Sequence, residues 1–435
     1  MSEEPKKRPR KHRVTERAMR RTLVILFTLL VIVVTAVVIY AMKLGPWTPE
    51  QDYGKVVRTT QPASEPTTLG QTEAVPETVE PTEHVLSEEE RRAQALLETM
   101  TTEQKVYQMI FTTPDALTGQ YPATVAGAMT EEALASKPVG GLAYFSDNIL
   151  TAEQITQMVA NSQSYSEIPL MICVDEEGGR VSRLSGVGLT NYYDPMATYG
   201  ASGNAEEVRR IGQELGQALS SAGFNLDFAP VADVVTEPLN TEIGDRSFSS
   251  DPETAAKMVA EMVRGLQENG TVSCLKHFPG HGSTKADSHE DRTVSERTLE
   301  ELRHTELLPF EAGIEAGAGM VMVSHMSLPA VNGDDTPCDL SEKVVTGLLR
   351  LELGFTGVII TDSHEMGAIT RYYSCGEAAL AAVRAGCDVV LMPTDPEAAA
   401  QALLQAVADG TLSEARINES VLRILTLKYQ YGILE

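Results

Sequence analysis

Residues 276–289 read KHFPGHGSTKADSH and hold several side chains that can do chemistry. Histidine and aspartate are common ligands of zinc and iron, so one interpretation is a metal site. Asp287 lies two residues before His289, and such a carboxylate can orient an imidazole for general acid and base catalysis. A proline and a glycine separate His277 from His281, so no helix holds both on one face, and no HExxH motif is present. A metal site, an acid/base pair and a sugar-binding loop remain the alternatives.

Asp362 is the candidate nucleophile. It ends the apolar run GVIITD (357–362), where a strand would hold its carboxylate rigidly. Displacement at a sugar carbon with retention of configuration needs such a carboxylate and a proton donor beside the leaving oxygen. Asp287 and His289 together offer that donor in place of a second carboxylic acid.

Eight short apolar runs predict the strands that must position these residues: 106–112, 141–145, 169–175, 224–231, 271–278, 319–325, 357–362 and 388–393. Amphipathic stretches alternate with them, for example 205–223 and 253–270, and both end in glycine as helices often do. Alternating strands and helices predict an α/β fold with a parallel sheet. Eight such units favour a single (β/α)8 TIM-type barrel. No GxGxxG motif follows a strand, so a dinucleotide-binding fold has no support.

Polar and ionisable residues follow five of the predicted strands: DEEGGR (175–180), the segment from Asp227 to Asp233, Lys276 with His277, Ser324 with His325, and residues 362–364. Active sites of such barrels lie where the strands end, at the carboxyl edge. We therefore expect these side chains to meet at one rim of the barrel.

The first 86 residues differ from the rest of the chain. Residues 1–21 form a basic head with nine Lys and Arg against three Glu. Residues 22–42 contain no charged residue, and about 20 apolar residues span a bilayer as a helix. The positive-inside rule then predicts a single-pass cell-membrane anchor, with the head in the cytoplasm; a cleaved signal peptide, the alternative, would have a shorter apolar region. Residues 43–86, rich in Thr, Pro and Glu, predict a disordered tether, which leaves 87–435 as the extracytoplasmic globular part.

The charge of the chain excludes one class of function. The formal net charge is −26, although the first residues are basic. Proteins that bind nucleic acid present a basic face, so the acidic body predicts no nucleic-acid partner.

The chain has five cysteines, an odd number, and no CxxC motif. Cys173 and Cys274 lie in apolar runs and are interpreted as buried apolar residues. A disulfide between Cys375 and either Cys387 or Cys338 is conceivable outside the cell, but the spacing does not favour one.

Taken together, these motifs resemble the β-N-acetylglucosaminidase, or β-N-acetylhexosaminidase, branch of glycoside hydrolase family 3. KHFPGHG, followed after four residues by DSH, is similar to the signature of that branch. Five further segments occur along the chain in the family's order: DEEGGRVSRL, NLDFAPVADV, GDRSFSSDP, LLPFEAGIEAGAGMVMVSHM and TDSHEMGAI. The resemblance covers residues 90–432, nearly the whole globular part.

The resemblance implies a role for each candidate residue. Asp362 would form the glycosyl-enzyme intermediate, and His289 paired with Asp287 would be the general acid and base. Five residues would contact the terminal sugar: Asp175, Arg183, Arg246, Lys276 and His277. Neither a cofactor nor a metal is implied.

The implied carbohydrate substrate is a terminal β-linked N-acetylglucosamine, typically on a peptidoglycan fragment such as a muropeptide. Besides a metal hydrolase at the histidine cluster, two alternatives stay open at this point. A member of the same family could act on another β-glycoside or transfer the sugar to phosphate, and a non-enzymatic protein could bind cell-wall sugars on a barrel that has lost its activity.

The sequence departs from the family pattern beside the nucleophile. Many relatives carry a second Asp and then Leu after the position of Asp362, whereas this chain has Ser363 and His364. A protonated His364 would favour the ionised form of Asp362; we expect the side chain instead to point towards solvent. Ser283 also replaces an Asp of the family's GHGDT motif.

Overall fold

The computed structural model describes residues 86–284 and 292–435. Eight strands lie in this part of the chain: β1 (Ile110–Thr112), β2 (Gly141–Ala143), β3 (Met171–Val174), β4 (Leu226–Asp227), β5 (Val272–Phe278), β6 (Met320–Val323), β7 (Val358–Thr361) and β8 (Val390–Leu391). They form one parallel sheet in the order β7-β6-β5-β4-β3-β2-β1-β8. A parallel bridge from Ile360 to Val389 joins β7 to the start of β8, which gives a nearly closed barrel.

Helices surround these strands, in chain order α1 (Glu88–Thr99), α2 (Thr102–Gln108), α3 (Pro114–Thr118), α4 (Ala128–Ser136), α5 (Ala152–Ser164), α6 (Met196–Ser202), α7 (Ala205–Ser221), α8 (Pro252–Gln267), α9 (Leu299–His304), α10 (Leu307–Glu315), α11 (Pro329–Asn332), α12 (Gly367–Thr370), α13 (Cys375–Ala385), α14 (Pro396–Ala408) and α15 (Glu414–Gln430). A π-helix covers Lys343–Glu352. The predicted α/β barrel of strand and helix units is therefore confirmed.

Local sequence explains where the main helices begin. Asn204 caps α7 and Asp251 caps α8, where Pro252 occupies the first turn and needs no hydrogen-bond partner for its nitrogen. The predicted first strand, 106–112, is wrong in its first half. Thr101 and Gln104 form a capping box that starts α2, and the helix continues to Gln108 before β1 begins.

Asp388 fixes the closure of the barrel. Its carboxylate lies just before β8 and accepts a hydrogen bond of 3.0 Å from the backbone nitrogen of Ile359 in β7. The same carboxylate, fully buried, lies 2.7 Å from Arg350 and 3.0 Å from Arg423, and Ser420 donates to it at 2.8 Å. A buried carboxylate needs such cations and donors, so β7 and β8 are held together from the outer helices inward.

The N-terminal predictions lie outside the described residues. The basic head, the predicted membrane helix and the tether up to residue 85 are not part of 86–284 or 292–435. Within those two ranges, every helix is too short or too polar to cross a membrane. All five cysteines are described and free, so the conceivable disulfides are not formed; Cys375 is partly exposed and the other four are buried.

Replacement of Asp388 by Asn should destabilise the barrel. The neutral amide would leave three arginines, Arg350, Arg416 and Arg423, without their shared anion. We expect a loss of about 3 kcal/mol in the free energy of unfolding, the lower end for a broken buried ion pair because the arginines keep some contact with water. Urea unfolding of the full-length protein, followed by circular dichroism, measures this loss. The matched variant Asp409→Asn, at the exposed end of α14, should change stability by less than about 0.5 kcal/mol, and equal effects of both variants would contradict the role of Asp388.

Candidate active site

A pocket of about 410 Å³ opens at the carboxyl ends of the strands. Residues at or just after seven strands line it, among them Phe145, Asp175, Phe228, Lys276, Met322, Asp362 and Leu391. In parallel barrels this rim carries the active site. The predicted sugar-binding residues Asp175, Arg183, Arg246, Lys276 and His277 all line this one pocket together with Asp362.

Lys276 is the buried cation at the centre of the pocket. Its side chain, 2% exposed, lies 2.6 Å from Asp175 and 2.5 Å from Glu177. Burial alone would lower the pKa of Lys276, but the two carboxylates outweigh it and raise the pKa above its ordinary value. For Glu177, burial would raise the pKa, yet Lys276 and Arg246 hold it well below the usual range. Lys276 and Glu177 are therefore both charged at neutral pH.

Arg246 extends the network to the next wall of the pocket. Its guanidinium donates two hydrogen bonds of 2.8 Å to the carboxylate of Glu177, a bidentate pair, and a third of 3.1 Å to Glu242. A terminal nitrogen of Arg246 lies 3.5 Å from Nε2 of His277. Since Arg246 is only 8% exposed, its contact with a ligand would use one face of a side chain that is already fixed.

Asp233 holds His277 in place. Its carboxylate lies 2.7 Å from Nδ1 of His277 and accepts a hydrogen bond of 2.5 Å from the backbone nitrogen of His281. Burial would raise the pKa of Asp233, but the neighbouring His277 lowers it overall. With Nδ1 facing a carboxylate, His277 turns Nε2 towards Arg246 and the pocket.

Glu176 folds the loop that covers one side of the pocket. It accepts hydrogen bonds from Ser182 at 2.5 Å, Thr190 at 2.6 Å and the backbone nitrogen of Arg183 at 2.7 Å. Gly178, with a φ of 91°, makes the tight turn that brings the loop back, a conformation that favours glycine. As a result, the guanidinium of Arg183 lies 4.0 Å from Asp175 and above the ring of Phe145.

Asp362 follows β7 directly and is held from two sides. Its backbone nitrogen donates to the carbonyl of Val323 in β6 at 2.9 Å, and its Oδ1 accepts a hydrogen bond of 2.8 Å from the backbone nitrogen of Ser363. The side chain is partly exposed and lines the pocket. A carboxylate fixed by backbone bonds at a strand end is suited to act as a nucleophile.

The other two predicted catalytic residues, Asp287 and His289, lie outside the described residues, so their roles stay predictions. Arg292, the first described residue after them, stacks over the ring of Tyr372 at 3.7 Å from its centroid. Tyr372 follows α12, which itself follows the nucleophile strand. Arg292 therefore contacts the segment that follows Asp362 and α12 along the chain.

The expectation that His364 points towards solvent is wrong. The side chain is only 2% exposed, and its Nε2 lies 3.0 Å from Asp339. Nδ1 of His325 contacts the same carboxylate at 3.1 Å. Within the described ranges, His325, Asp339 and His364 are also the group with the ligand types and spacing of a metal site, rather than His277 and His281.

Sequence reasoning assigned no role to Glu177, Asp233 or Asp339, although each supports a candidate residue. The sequence does carry a signal for Glu177 and Asp233, because both belong to polar segments that follow predicted strands, where active-site residues are expected. Asp339 has none: it lies in a short turn, Cys338–Leu340, and becomes important only because folding brings it to the exits of β6 and β7.

Known proteins resemble this chain over the same region. The model of the glycosyl hydrolase family 3 N terminal domain matches residues 101–427. A beta-hexosaminidase A from Pseudoalteromonas piscicida is 32% identical over 325 residues, which cover 68% of this chain and 54% of that protein. A beta-hexosaminidase from Nitrosomonas eutropha is 35% identical over 271 residues, which cover 61% of this chain and 76% of that protein.

A solved structure agrees with these sequence matches. The glycoside hydrolase family 3 beta-N-acetylglucosaminidase from Paenibacillus sp. str. FPU-7 aligns with a TM-score of 0.73 and 37% identity, over 77% of this chain and 63% of that chain. The match to the family model spans every strand of the barrel and every residue named in the pocket. The chain therefore belongs to glycosyl hydrolase family 3, and its family and relatives indicate that it is a glycosidase.

Proposed function

We propose that the protein is a retaining β-N-acetylhexosaminidase that removes terminal β-linked N-acetylglucosamine, with Asp362 as its nucleophile. The observation that carries this proposal is the shared pocket: Asp362 lines the same cavity as all five predicted sugar-binding side chains. The relatives named beta-hexosaminidase and beta-N-acetylglucosaminidase support the choice of sugar.

The pocket has the mixture of groups that a sugar requires. Sugar hydroxyls both donate and accept hydrogen bonds, and the wall formed by Asp175, Lys276 and Arg246 offers acceptors beside donors. Phe228 and Met322 line the same cavity and provide apolar contact for a ring face or an acetyl methyl group. Because the polar groups are already paired with one another, they need little reorganisation when a sugar binds.

The proposed reaction has two steps. Asp362 attacks the anomeric carbon, the bond from that carbon to the leaving oxygen breaks, and His289 gives its proton to that oxygen. In the second step His289 takes a proton from water, whose oxygen attacks the anomeric carbon and releases Asp362. Asp287 would orient the imidazole and stabilise its charged form in both steps.

Other carboxylates in the pocket fit the role of nucleophile less well. Asp175 and Glu177 are ion-paired with Lys276, and Glu242 bonds to Arg246. An ion-paired carboxylate is a weaker nucleophile because its charge is already shared. Glu365 differs: its side chain is largely exposed to solvent, but partial desolvation at the pocket and the charge of Asp115 raise its pKa, which makes it the rival to His289 as proton donor.

The membrane anchor is proposed from the sequence alone. A helix at residues 22–42 and a tether at 43–86 would present the barrel to the cell wall outside the cytoplasm, where peptidoglycan fragments are available. The acceptor is proposed to be water rather than phosphate.

Replacement of Asp362 by Asn should lower kcat for hydrolysis of an aryl β-N-acetylglucosaminide by at least about 10³-fold, because the amide cannot form the glycosyl-enzyme. Binding of N-acetylglucosamine, measured by calorimetry, should change little, since the side chains around Lys276 are intact. Asp334→Asn, the same change on an exposed loop, is the matched control and should keep full activity. Products are analysed with and without phosphate. Near-normal turnover by Asp362→Asn, or release of a sugar 1-phosphate, would contradict the proposal.

Replacement of His289 by Ala should slow the hydrolysis of different substrates to different extents. We expect kcat/KM for a substrate with a poor leaving group to fall by about 10²-fold or more, because this leaving group must be protonated. An activated aryl leaving group needs little protonation, so its kcat/KM should fall much less. Glu365→Gln tests the rival proton donor and should show no such dependence on the leaving group. If Glu365→Gln shows the dependence and His289→Ala does not, the two roles are exchanged.

The N-terminus of the membrane-associated protein should lie before residue 22. An uncleaved anchor keeps its basic head, so sequencing of the protein extracted from the membrane fraction should find it. A mature N-terminus near residue 43 or beyond would show that the apolar segment is removed.

A further inference from the structure

Three buried ionisable side chains lie directly behind the nucleophile and have no role in the proposed reaction. His325 follows β6, Asp339 lies in the turn Cys338–Leu340, and His364 follows Asp362 by two residues. His325 and Asp339 are 0% exposed and His364 is 2% exposed. One oxygen of Asp339 lies 3.1 Å from Nδ1 of His325, and the other lies 3.0 Å from Nε2 of His364.

This cluster is connected to Asp362 through the backbone of Ser363. Nε2 of His325 lies 2.8 Å from the carbonyl oxygen of Ser363, and the backbone nitrogen of Ser363 donates to Oδ1 of Asp362 at 2.8 Å. The backbone nitrogen of His364 donates to the carbonyl of Leu391 at 3.0 Å. The peptide unit between Ser363 and His364 is thereby fixed from both ends, and the preceding unit carries the N–H that holds one oxygen of the nucleophile.

The contacts determine where the protons lie. A carbonyl oxygen only accepts, so Nε2 of His325 carries a proton. Nδ1 of His325 lies 3.1 Å from Oδ1 of Asp339; the angle between them does not make a hydrogen bond, but a carboxylate at ion-pair distance favours a second proton on the ring. His325 is therefore an imidazolium. His364 donates from Nε2 to Asp339, and its Nδ1 has no hydrogen-bond partner, which is the arrangement of a neutral ring.

The electrostatics of the cluster agree with this assignment. Burial would lower the pKa of His325, but Asp339 and, further away, Asp362 raise it to about 9. For Asp339, burial raises the pKa while His325 and His364 lower it overall, and burial lowers the pKa of His364. The thiol of Cys387 donates to the backbone oxygen of Asp339 at 3.4 Å and adds no charge. One cation, one anion and one neutral ring leave the interior without net charge.

We propose that Asp339, held between His325 and His364, is a positioning residue that fixes the Asp362 carboxylate through Ser363. The inference rests on the proposed role of Asp362 as nucleophile. The residue that departs from the family pattern, His364, has its function here: a leucine at this position could not donate to Asp339. The charged form of His325 contributes its full stabilisation of the folded protein below pH about 6.5, the ordinary pKa of histidine. This stabilisation is lost as the pH rises through about 9, the raised pKa of His325 in the fold.

The test compares Asp339→Asn with His364→Leu and His364→Gln in the full-length protein. Asp339→Asn removes the anion, and His364→Leu removes one donor, whereas the amide of Gln keeps a donor near the position of Nε2. We expect kcat on an aryl β-N-acetylglucosaminide to fall by about 10- to 100-fold in the first two variants, because a displaced nucleophile attacks poorly. KM should change less than about threefold, since the sugar-binding wall is intact, and His364→Gln should recover most of kcat.

A second measurement separates positioning from simple loss of stability. Leu403→Ala, in the outer helix α14, creates a buried cavity and should lower the melting temperature without lowering kcat. A loss of kcat in Asp339→Asn that this control reproduces at equal melting temperature would overturn the proposal. So would a folded Asp339→Asn enzyme with kcat within about twofold of the unchanged protein.

A third measurement needs no substrate and therefore distinguishes failure of the positioning from failure of the proposed function. The imidazole nitrogen resonances of His325, assigned with the His325→Gln variant, should show two protonated nitrogens at neutral pH and titrate near pH 9. In Asp339→Asn the titration should move below about 6.5. A neutral His325 at neutral pH, or stoichiometric zinc or iron in the purified protein, would overturn the proton network. If the unchanged protein hydrolyses no β-N-acetylglucosaminide, the proposed function fails, and the same spectra still decide whether the network exists.

Discussion

The pocket depends on one constraint: the ammonium group of Lys276 is buried and cannot rely on water for its charge. It must keep Asp175 and Glu177 within contact distance, and Glu177 in turn needs Arg246. These residues come from the exits of β3 and β5 and from a turn after β4, so satisfying one charge fixes three segments relative to one another. A removed partner would leave an uncompensated charge in a dry interior, which costs several kcal/mol. The sugar-binding wall is rigid for this reason.

Parallel closure of the sheet then decides which residues meet. Every strand ends at the same rim, so Asp362 after β7 lines the same pocket as Lys276 in β5 and Asp175 after β3. The position of Asp362 also depends on the opposite side of the barrel, because β7 is joined to β8 through a short bridge and the carboxylate of Asp388. Stability and activity are therefore linked at this seam: the residues that close the barrel also hold the nucleophile strand.

The sequence was sufficient to predict the strands of the barrel and the rim at which their polar residues meet, because hydrophobic periodicity and strand exits are local properties of the chain. It was not sufficient for contacts between distant residues. The first predicted strand failed in its first half because a capping box at Thr101 starts a helix within the same apolar run. The orientation of His364 failed for another reason. From the sequence alone, a histidine just after a strand is expected to be exposed to solvent. Its buried partner Asp339 lies 25 residues away, and nothing in the local sequence indicates their contact.

Two buried clusters solve the same electrostatic problem in different ways. Around Lys276 two cations and two carboxylates line the pocket while they remain largely buried. Around Asp339 none of the three cluster residues lines the pocket, and Nε2 of His325 is directed to the backbone beside the nucleophile. A binding wall must recognise many hydroxyls, whereas a nucleophile must keep one oxygen in one place. The separation of the two clusters lets the first present fixed donors and acceptors to a sugar while the second holds Asp362 in place.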